Sequence, residues 1–217
     1  MTRETAPRGR KARKGRTRQA LMDAALDLVA KKAPFSSLSL REVTKKAGVV
    51  PTAFYRHFTD MSALGLTLLD ESFRTLRQMM REVRQHQLPN EQMIRGSMET
   101  YFNYVRNNRT YFLFVSKELY GGSATMRQAI RREIRLFVSE LAMDMARFPF
   151  LINVSSQDLQ MMATLVVNSV VALTQEMLEL SEDDEAGQNE MLIMAEKQVR
   201  LIYFGVAQWR SEPDRIA

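Results

Sequence analysis

The chain has 217 residues, of which 45% are hydrophobic, and it carries 31 lysine and arginine residues against 25 aspartate and glutamate residues. This apolar fraction excludes a disordered chain, and the length suits one large domain or two small ones. Because cysteine is absent, disulfide scaffolds, thiolate zinc sites and cysteine nucleophiles are excluded, and His57 and His86 are the only imidazoles. We therefore expect a protein that is not an enzyme and that uses neither a metal nor a cofactor.

The positive charge is concentrated at the start of the chain. Residues 1–58 contain 14 basic and 4 acidic residues, a net charge of +10, whereas the remaining residues carry a net charge of −4. A local positive field of this kind concentrates polyanions, either nucleic acid or an anionic membrane surface. No apolar run reaches the roughly 20 residues that span a bilayer, and the basic N-terminus lacks the apolar segment of a secretory signal. We therefore expect a soluble, intracellular protein.

A basic segment precedes the first predicted helix. Residues 1–14 have no apolar periodicity, which predicts a flexible arm that is either a solvated tail or a source of phosphate contacts. From Gly15 a helix is predicted, and it stops before Pro34. Its buried side is marked by apolar residues at helical spacing, namely Leu21, Ala24, Ala25, Leu28 and Val29.

Two short helices follow, joined by a tight turn. Ser39 and Glu42 have the spacing of a capping box, and Gly48 suits the left-handed backbone that ends a helix. Pro51 fits the first turn of a second short helix, which we expect to extend to His57. Two such helices, supported by the one before them, form a helix-turn-helix unit whose second helix fits the major groove of DNA. The face that we expect to protrude carries Thr52, Tyr55, Arg56 and His57.

The rest of the chain shows only helical periodicity. Amphipathic segments predict helices over residues 60–86, 90–107, 109–119, 124–147, 156–180 and 189–210. We find no strand-like alternation and no internal repeat. The sequence therefore predicts an all-α protein. Its parts are a flexible arm (1–14), a three-helix helix-turn-helix DNA-binding domain (15–59) and a larger helical domain for ligand binding and dimerisation (60–217).

The predicted DNA-binding domain (15–59) is called the head below. Two of its stretches carry a family pattern: Leu38-Ser-Leu-Arg-Glu-Val-Thr-Lys-Lys-Ala-Gly-Val49 and Phe54-Tyr-Arg-His-Phe58. With them, the segment 20–65 resembles the DNA-binding domain of TetR-family transcriptional regulators. More narrowly, the stretches 39–43, 51–58 and 65–72 resemble the FabR/DesT branch, which controls unsaturated fatty acid synthesis genes in bacteria. The sequence departs from the family pattern at Thr44, where alanine is common, and at Met61, where many relatives have lysine. The FabR/DesT branch shares an apolar residue at the second position.

The resemblance implies DNA-binding roles for named residues. Phosphate contacts are usual at the positions of Tyr55 and His57, and Arg41 and Thr17 are further phosphate candidates. Packing is the alternative for Tyr55, and a helix cap is the alternative for Thr17. Base contacts are usual from the start of the recognition helix and from Arg56. The DNA-binding candidates are Thr17, Arg41, Pro51, Thr52, Ala53, Tyr55, Arg56 and His57.

The number of heads follows from what one head can read. A single helix-turn-helix unit reads few base pairs, whereas two heads about 34 Å apart read a palindrome, so we expect a homodimer. We place its interface on the last two long helices. The alternative is that their apolar residues only fill the core. The residues expected at the interface are Met161, Leu165, Asn168, Ser169, Ala172, Leu173, Met191, Met194, Ala195, Val199 and Ile202.

Methionine and aromatic residues are frequent in the stretch 98–115. Because methionine adapts its shape at low cost, this stretch predicts an apolar ligand pocket, with core filling as the alternative. The pocket candidates are Met98, Phe102, Val105, Phe112, Phe114 and Val115. A basic mouth for phosphates is expected from Arg127, Arg131, Arg132 and Arg135, unless they pair with Glu133 and Glu140.

The resemblance implies a repressor of unsaturated fatty acid or desaturase genes. Its effector would be a long-chain acyl thioester on CoA or on acyl carrier protein. Two other functions stay open: a TetR-like repressor of an efflux pump that senses hydrophobic drugs, and a helical acyl-binding or membrane-surface protein without sequence-specific DNA binding. For the regulator we expect operator DNA, a second copy and a hydrophobic effector as partners. We expect no membrane partner and a location in the bacterial cytoplasm, on the nucleoid when DNA is bound.

Overall fold

The structure is a computed structural model that describes residues 8–31, 34–85 and 91–209. Within these ranges it contains only helices and connecting turns, which confirms the all-α prediction. The α-helices are α1 (Arg8–Lys31), α2 (Leu40–Lys46), α3 (Pro51–Phe54), α4 (Met61–Gln85), α5 (Glu91–Asn107), α6 (Arg109–Gly121), α7 (Ala124–Met145), α8 (Ser156–Glu179) and α9 (Glu185–Gln208). Two short 3-10 turns lie at Phe35–Ser37 and Pro149–Leu151. His86 lies outside the described residues.

The first helix begins earlier than the sequence predicted. Residues 8–14 form the first two turns of α1 instead of belonging to a flexible arm, and residues 1–7 lie outside the described residues. The physical reason is that arginine, lysine and alanine favour helix even without an apolar face, and single glycines such as Gly9 and Gly15 cost only about 1 kcal/mol each. The basic segment is therefore continuous with the head.

The described chain forms two compact units, Met1–Ser72 with Thr110–Ile130, and Phe73–Arg109 with Arg131–Ala217. This division differs from the single boundary at residue 60 that the sequence suggested. The reason is that α6 packs within the first unit. The Phe35 ring meets that of Phe114 edge-on, with centroids 5.5 Å apart, and a Cβ at Gly65 would lie only 2.7 Å from the Phe35 ring.

Two neighbouring residues of α6 bind both ends of the connector between α1 and α2. Lys117 Nζ donates a hydrogen bond to the Val29 carbonyl in the last turn of α1, at 2.6 Å. The carboxylate of Glu118 accepts a hydrogen bond from the Phe35 backbone N–H at 2.7 Å. Both bonds satisfy backbone groups that a helix end leaves without partners. The geometry of α1 and α2 therefore depends on α6.

Part of the core of the second unit is built from α7, α8 and the turn between them. One apolar cluster consists of Val138, Ala142, Met145, Leu151, Leu159, Met162 and Ala163. Arg109 caps the end of α8, because its guanidinium donates to the carbonyls of Leu178 and Leu180 at 2.7 and 2.6 Å. α8 and α9 pack against each other. Among the described residues, α8 alone is long and apolar enough to cross a membrane by length and composition, a property that core helices of globular proteins share.

Candidate nucleic-acid interface

The helix-turn-helix unit forms by the local rules that the sequence predicted. Ser39 Oγ accepts from the Glu42 N–H at 3.2 Å, and the Glu42 carboxylate accepts from the Ser39 N–H at 2.9 Å, which confirms the capping box. Gly48 has φ of +67°, the left-handed conformation that ends α2. Thr44 is buried and donates its hydroxyl proton to the Leu40 carbonyl, so this polar side chain is satisfied inside the head.

α3 is short, and its only buried side chain is Phe54. The Phe54 ring lies 5.6 Å from the ring of Phe58 and 5.7 Å from that of Tyr55, so one aromatic anchor holds the segment in place. Residues 55–57 continue as a turn instead of the helix that was predicted to reach His57. Pro51, Thr52, Tyr55 and Arg56 are exposed, and Tyr55 is 64% exposed. A short element anchored by one ring leaves its polar side chains accessible.

A groove of about 870 Å³ runs between the start of α1 and α3. None of its eight lining residues is acidic. They are Arg13, Lys14, Thr17, Val49, Val50, Ala53, Arg56 and His57. Its chemistry, cationic side chains around a short apolar strip, suits a polyanion that carries apolar groups.

The positive charge of the groove acts on His57. Partial burial lowers the pKa of His57 below its ordinary value of 6.5, and the charges of Lys14, Arg18 and Arg56 lower it further. Arg18 itself is fixed, because it pairs with Glu71 at 2.6 Å and lies over the Phe58 ring. An anion placed beside His57 would reverse these effects and favour its protonated form.

Models of two protein families match this chain. Residues 21–66 match the bacterial regulatory proteins of the tetR family, and residues 89–207 match the tetracyclin repressor-like C-terminal domain. The chain belongs to the TetR family. It is therefore a TetR-family transcriptional regulator, from a family of DNA-binding proteins that are not enzymes.

Solved structures share this fold of the TetR family at low sequence identity. The fatty acid degradation regulator FadR from Bacillus halodurans is 12% identical, with a TM-score of 0.68 over 94% of this chain and 98% of that chain. FadR from Bacillus subtilis in complex with stearoyl-CoA is 11% identical, with a TM-score of 0.64 over 85% and 96%. A transcriptional regulator from Rhodococcus sp. Rha1 is 18% identical, with a TM-score of 0.66 over 88% and 96%.

The DNA-binding candidates of this TetR-family head fall into three places. Thr17, Ala53, Arg56 and His57 line the groove, and Pro51, Thr52 and Tyr55 are exposed beside it. Arg41 is exposed in the first turn of α2. Thr17 lies in the third turn of α1, where its hydroxyl donates to the Arg13 carbonyl at 3.2 Å, so it does not cap that helix.

Four groove residues were not among the DNA-binding candidates. Arg13 and Lys14 were assigned to the basic arm, for which phosphate contacts were one alternative, and Val49 and Val50 were left in the turn between the two short helices. The basic run at residues 8–14 could have indicated Arg13 and Lys14, provided that α1 had been predicted to extend through it. Val50 gave no such signal, because an apolar residue in a turn is usually buried, whereas this one is 64% exposed.

The pocket and mouth candidates are distributed over both units. Met98, Phe102 and Val105 are buried in the second unit, and Phe114 is buried in the first, where it packs on Phe35. Phe112 and Val115 are partly buried. Glu133 and Glu140 pair with Arg77 and Arg81 of α4, not with the arginines of α7. Arg131, Arg132 and Arg135 are exposed, and Arg127 donates to the Gly122 carbonyl.

The expected interface residues on α8 and α9 differ in burial. Met161, Leu165, Asn168 and Ala172 are exposed at helical spacing along one face of α8, and Met194 is exposed on α9. Ala195, Val199 and Leu173 are buried, and Ile202 packs against the core cluster. Ser169 donates to the Gln198 side chain, and Met191 is partly buried. Leu201 and Phe204, which were not predicted, extend the exposed apolar face of α9.

Proposed function

We propose that this TetR-family regulator is a repressor that binds a palindromic operator as a homodimer. The observation that carries the proposal is the cationic groove beside the exposed residues of α3, because it joins phosphate-binding and base-reading groups on one surface. In this proposal His57, Tyr55, Thr17 and Arg41 contact phosphates. Pro51, Thr52, Ala53 and Arg56 face the bases.

The dimer of the proposal forms through α8 and α9. Its support is the exposed apolar face of α8 and α9, defined by Met161, Leu165, Ala172, Met194, Leu201 and Phe204. Contiguous apolar surface of this kind is unfavourable in water and is typical of protein interfaces. Two copies joined by four such helices would hold two heads at a fixed spacing, as a palindrome requires.

The effector of the proposal is a long-chain acyl thioester, on CoA or on acyl carrier protein, and the regulated genes serve unsaturated fatty acid synthesis or desaturation. The resemblance of the head to the FabR/DesT branch supports this proposal. So does the fold shared with a FadR that was crystallised with stearoyl-CoA. Of the pocket candidates, Met98, Phe102 and Val105 belong to the second unit, and the acyl chain would bind there. The protein would act in the cytoplasm and not at a membrane.

In this proposal the effector controls DNA binding by shifting the dimer between two spacings of its heads. An acyl chain that binds one spacing better than the other moves the population toward it, and a kinked unsaturated tail and a straight saturated tail can favour different spacings. α4 and α7 each run continuously across the division between the two units, so such a shift would pass through them.

The test is operator binding in the presence of defined effectors. The operator is first selected from random duplex DNA with the purified protein, and its affinity is then titrated with oleoyl-CoA, stearoyl-CoA and a set of hydrophobic drugs. We expect at least a fivefold change in operator affinity with one of the acyl thioesters, in the range of ordinary allosteric coupling. No change with any acyl thioester would overturn the lipid proposal, and a change only with drugs would favour an efflux regulator.

A further inference from the structure

The groove of the head has an apolar strip that phosphate binding does not require. Val49, Val50 and Ala53 form this strip, and Arg13 and Lys14 of α1 line the same groove. Val50 is 64% exposed, more than any other described apolar residue of α1 to α4 except Tyr55, which equals it. Cations attract the backbone of a nucleic acid strand, but an exposed valine contributes nothing to that attraction.

Val50 also occupies a position where another residue type would stabilise the helix. It is the N-cap residue of α3, with φ of −74° and ψ of 148°, and its side chain makes no capping hydrogen bond. Serine, threonine, aspartate or asparagine at an N-cap accepts a hydrogen bond from the first turn of the helix, which valine cannot do. A residue that breaks the N-cap preference on a binding face indicates that the position serves binding instead of helix stability.

The chemistry of DNA provides one group that suits an exposed aliphatic side chain. In the major groove the base edges present hydrogen-bond donors and acceptors, and the C5-methyl group of thymine is the apolar exception. We propose that Val50 is a specificity-determining residue that contacts a thymine methyl group, while Arg13 and Lys14 hold the adjacent backbone. This inference rests on the proposed DNA-binding function and adds a base preference to it.

The experiment removes only the methyl group. In the operator selected with the full-length protein, each thymine is replaced in turn by deoxyuridine, and the dissociation constant is measured by fluorescence anisotropy at fixed salt. We expect one thymine in each half-site whose replacement weakens binding of the wild-type protein about fourfold, the value of one buried methyl group. Val50→Ser should bind the thymine and uracil operators equally.

The variant and its control separate this contact from general damage. Val50→Ser restores a favoured N-cap residue, so it should fold with an unchanged or higher melting temperature. Ile152→Ser is the matched control, because Ile152 is an exposed aliphatic residue like Val50 but does not line the groove. Ile152→Ser should keep the fourfold preference for thymine.

Three results would count against the inference. A wild-type protein that is indifferent to every uracil replacement, yet still selects a sequence, would overturn the methyl contact and leave the proposed function intact. A preference for thymine that persists in Val50→Ser would place that contact on another residue. If no sequence is selected at all, the proposed function fails, and this inference fails with it.

Discussion

Arg56 and Lys14 line the same groove, but we expect only Arg56 to distinguish one DNA sequence from another. In the proposed complex Arg56, which follows α3, faces the bases, whereas Lys14 on α1 contacts only the backbone. We expect Arg56→Ala to cost about 1–3 kcal/mol on the selected operator and to relax its sequence preference. Lys14→Ala should weaken binding to all sequences evenly and reduce the salt slope by about one. Competition titrations at several salt concentrations measure both effects, and equal loss of preference in the two variants would contradict the assignment.

His57 links DNA binding to pH. In the free protein the pKa of His57 lies below 6.5 because of burial and nearby cations, so His57 is neutral at pH 7. A phosphate beside the ring raises that pKa, and binding therefore takes up a proton. We expect operator affinity to rise as the pH falls from the raised pKa of His57 in the complex toward its lower pKa in the free protein, with a slope below the tenfold per pH unit that one proton allows. His57→Gln should bind with a flatter pH dependence. An unchanged slope in this variant would show that another group takes up the proton.

Glu118 of α6, which binds the Phe35 backbone, makes the stability of the protein depend on pH. Its side chain is fully buried and accepts from the backbone of Phe35, and burial raises the pKa of its carboxyl group. A raised pKa means that the folded state binds the proton more strongly, so this contribution to stability is present at low pH and is lost as the pH rises through the folded pKa. Glu118→Gln, which is neutral at every pH, should therefore melt at a higher temperature than the wild type at pH 8, and the difference should shrink toward pH 5.

Two variants complete the test of Glu118. Glu118→Ala leaves the Phe35 N–H without its partner, so it should be destabilised by about 1–3 kcal/mol at any pH. Glu190→Gln, on an exposed position of α9, is the control for the loss of a carboxylate and should match the wild type. If Glu118→Gln melts below the wild type at pH 8, the charged carboxylate is the favoured form and the argument from burial is wrong.

At the level of elements, the parts that local rules govern were predictable and the tertiary contacts were not. The capping box of Ser39 and Glu42 and the turn at Gly48 depend on neighbouring residues, so the sequence contains them in full. The hydrogen bonds from Lys117 to the Val29 carbonyl and from the Phe35 N–H to Glu118 join positions more than 80 residues apart, which no periodicity reveals. The same limit applies to Arg77 and Arg81 of α4, whose partners lie on α7.

The candidate site shows the same division between local and tertiary information. Tyr55, Arg56 and His57 follow from the motif and from their spacing relative to Phe54, which must be buried for α3 to hold its place. Arg13 and Lys14 were missed because an apolar stripe was required before a helix was inferred, although arginine and lysine favour helix on their own. That α1 and α3 share one groove is a property of their packing.

The proposed dimer depends on the exposed apolar face of α8 and α9. Leu165 on α8 is 52% exposed and Leu201 on α9 is 75% exposed. Burial of both in two copies would remove several apolar side chains from water, each worth about 1.5–3 kcal/mol when fully buried. A charge at either position should therefore disfavour the dimer and leave the fold of each copy intact, because neither side chain belongs to the core. Operator binding should weaken as well, since two heads would no longer be held together.

Leu165→Glu and Leu201→Glu test this dimer, with Ile152→Glu as the matched control. Ile152 is 76% exposed and follows the short turn after α7, outside both α8 and α9. Sedimentation equilibrium should give a dimer for the wild type and for Ile152→Glu, and mainly monomer for the other two variants at micromolar concentration. Their circular dichroism should stay helical. Affinity for a full palindrome should fall by at least tenfold, while affinity for a single half-site should not change, because each head is untouched. Dimers that persist in both variants would place the interface elsewhere on the molecule.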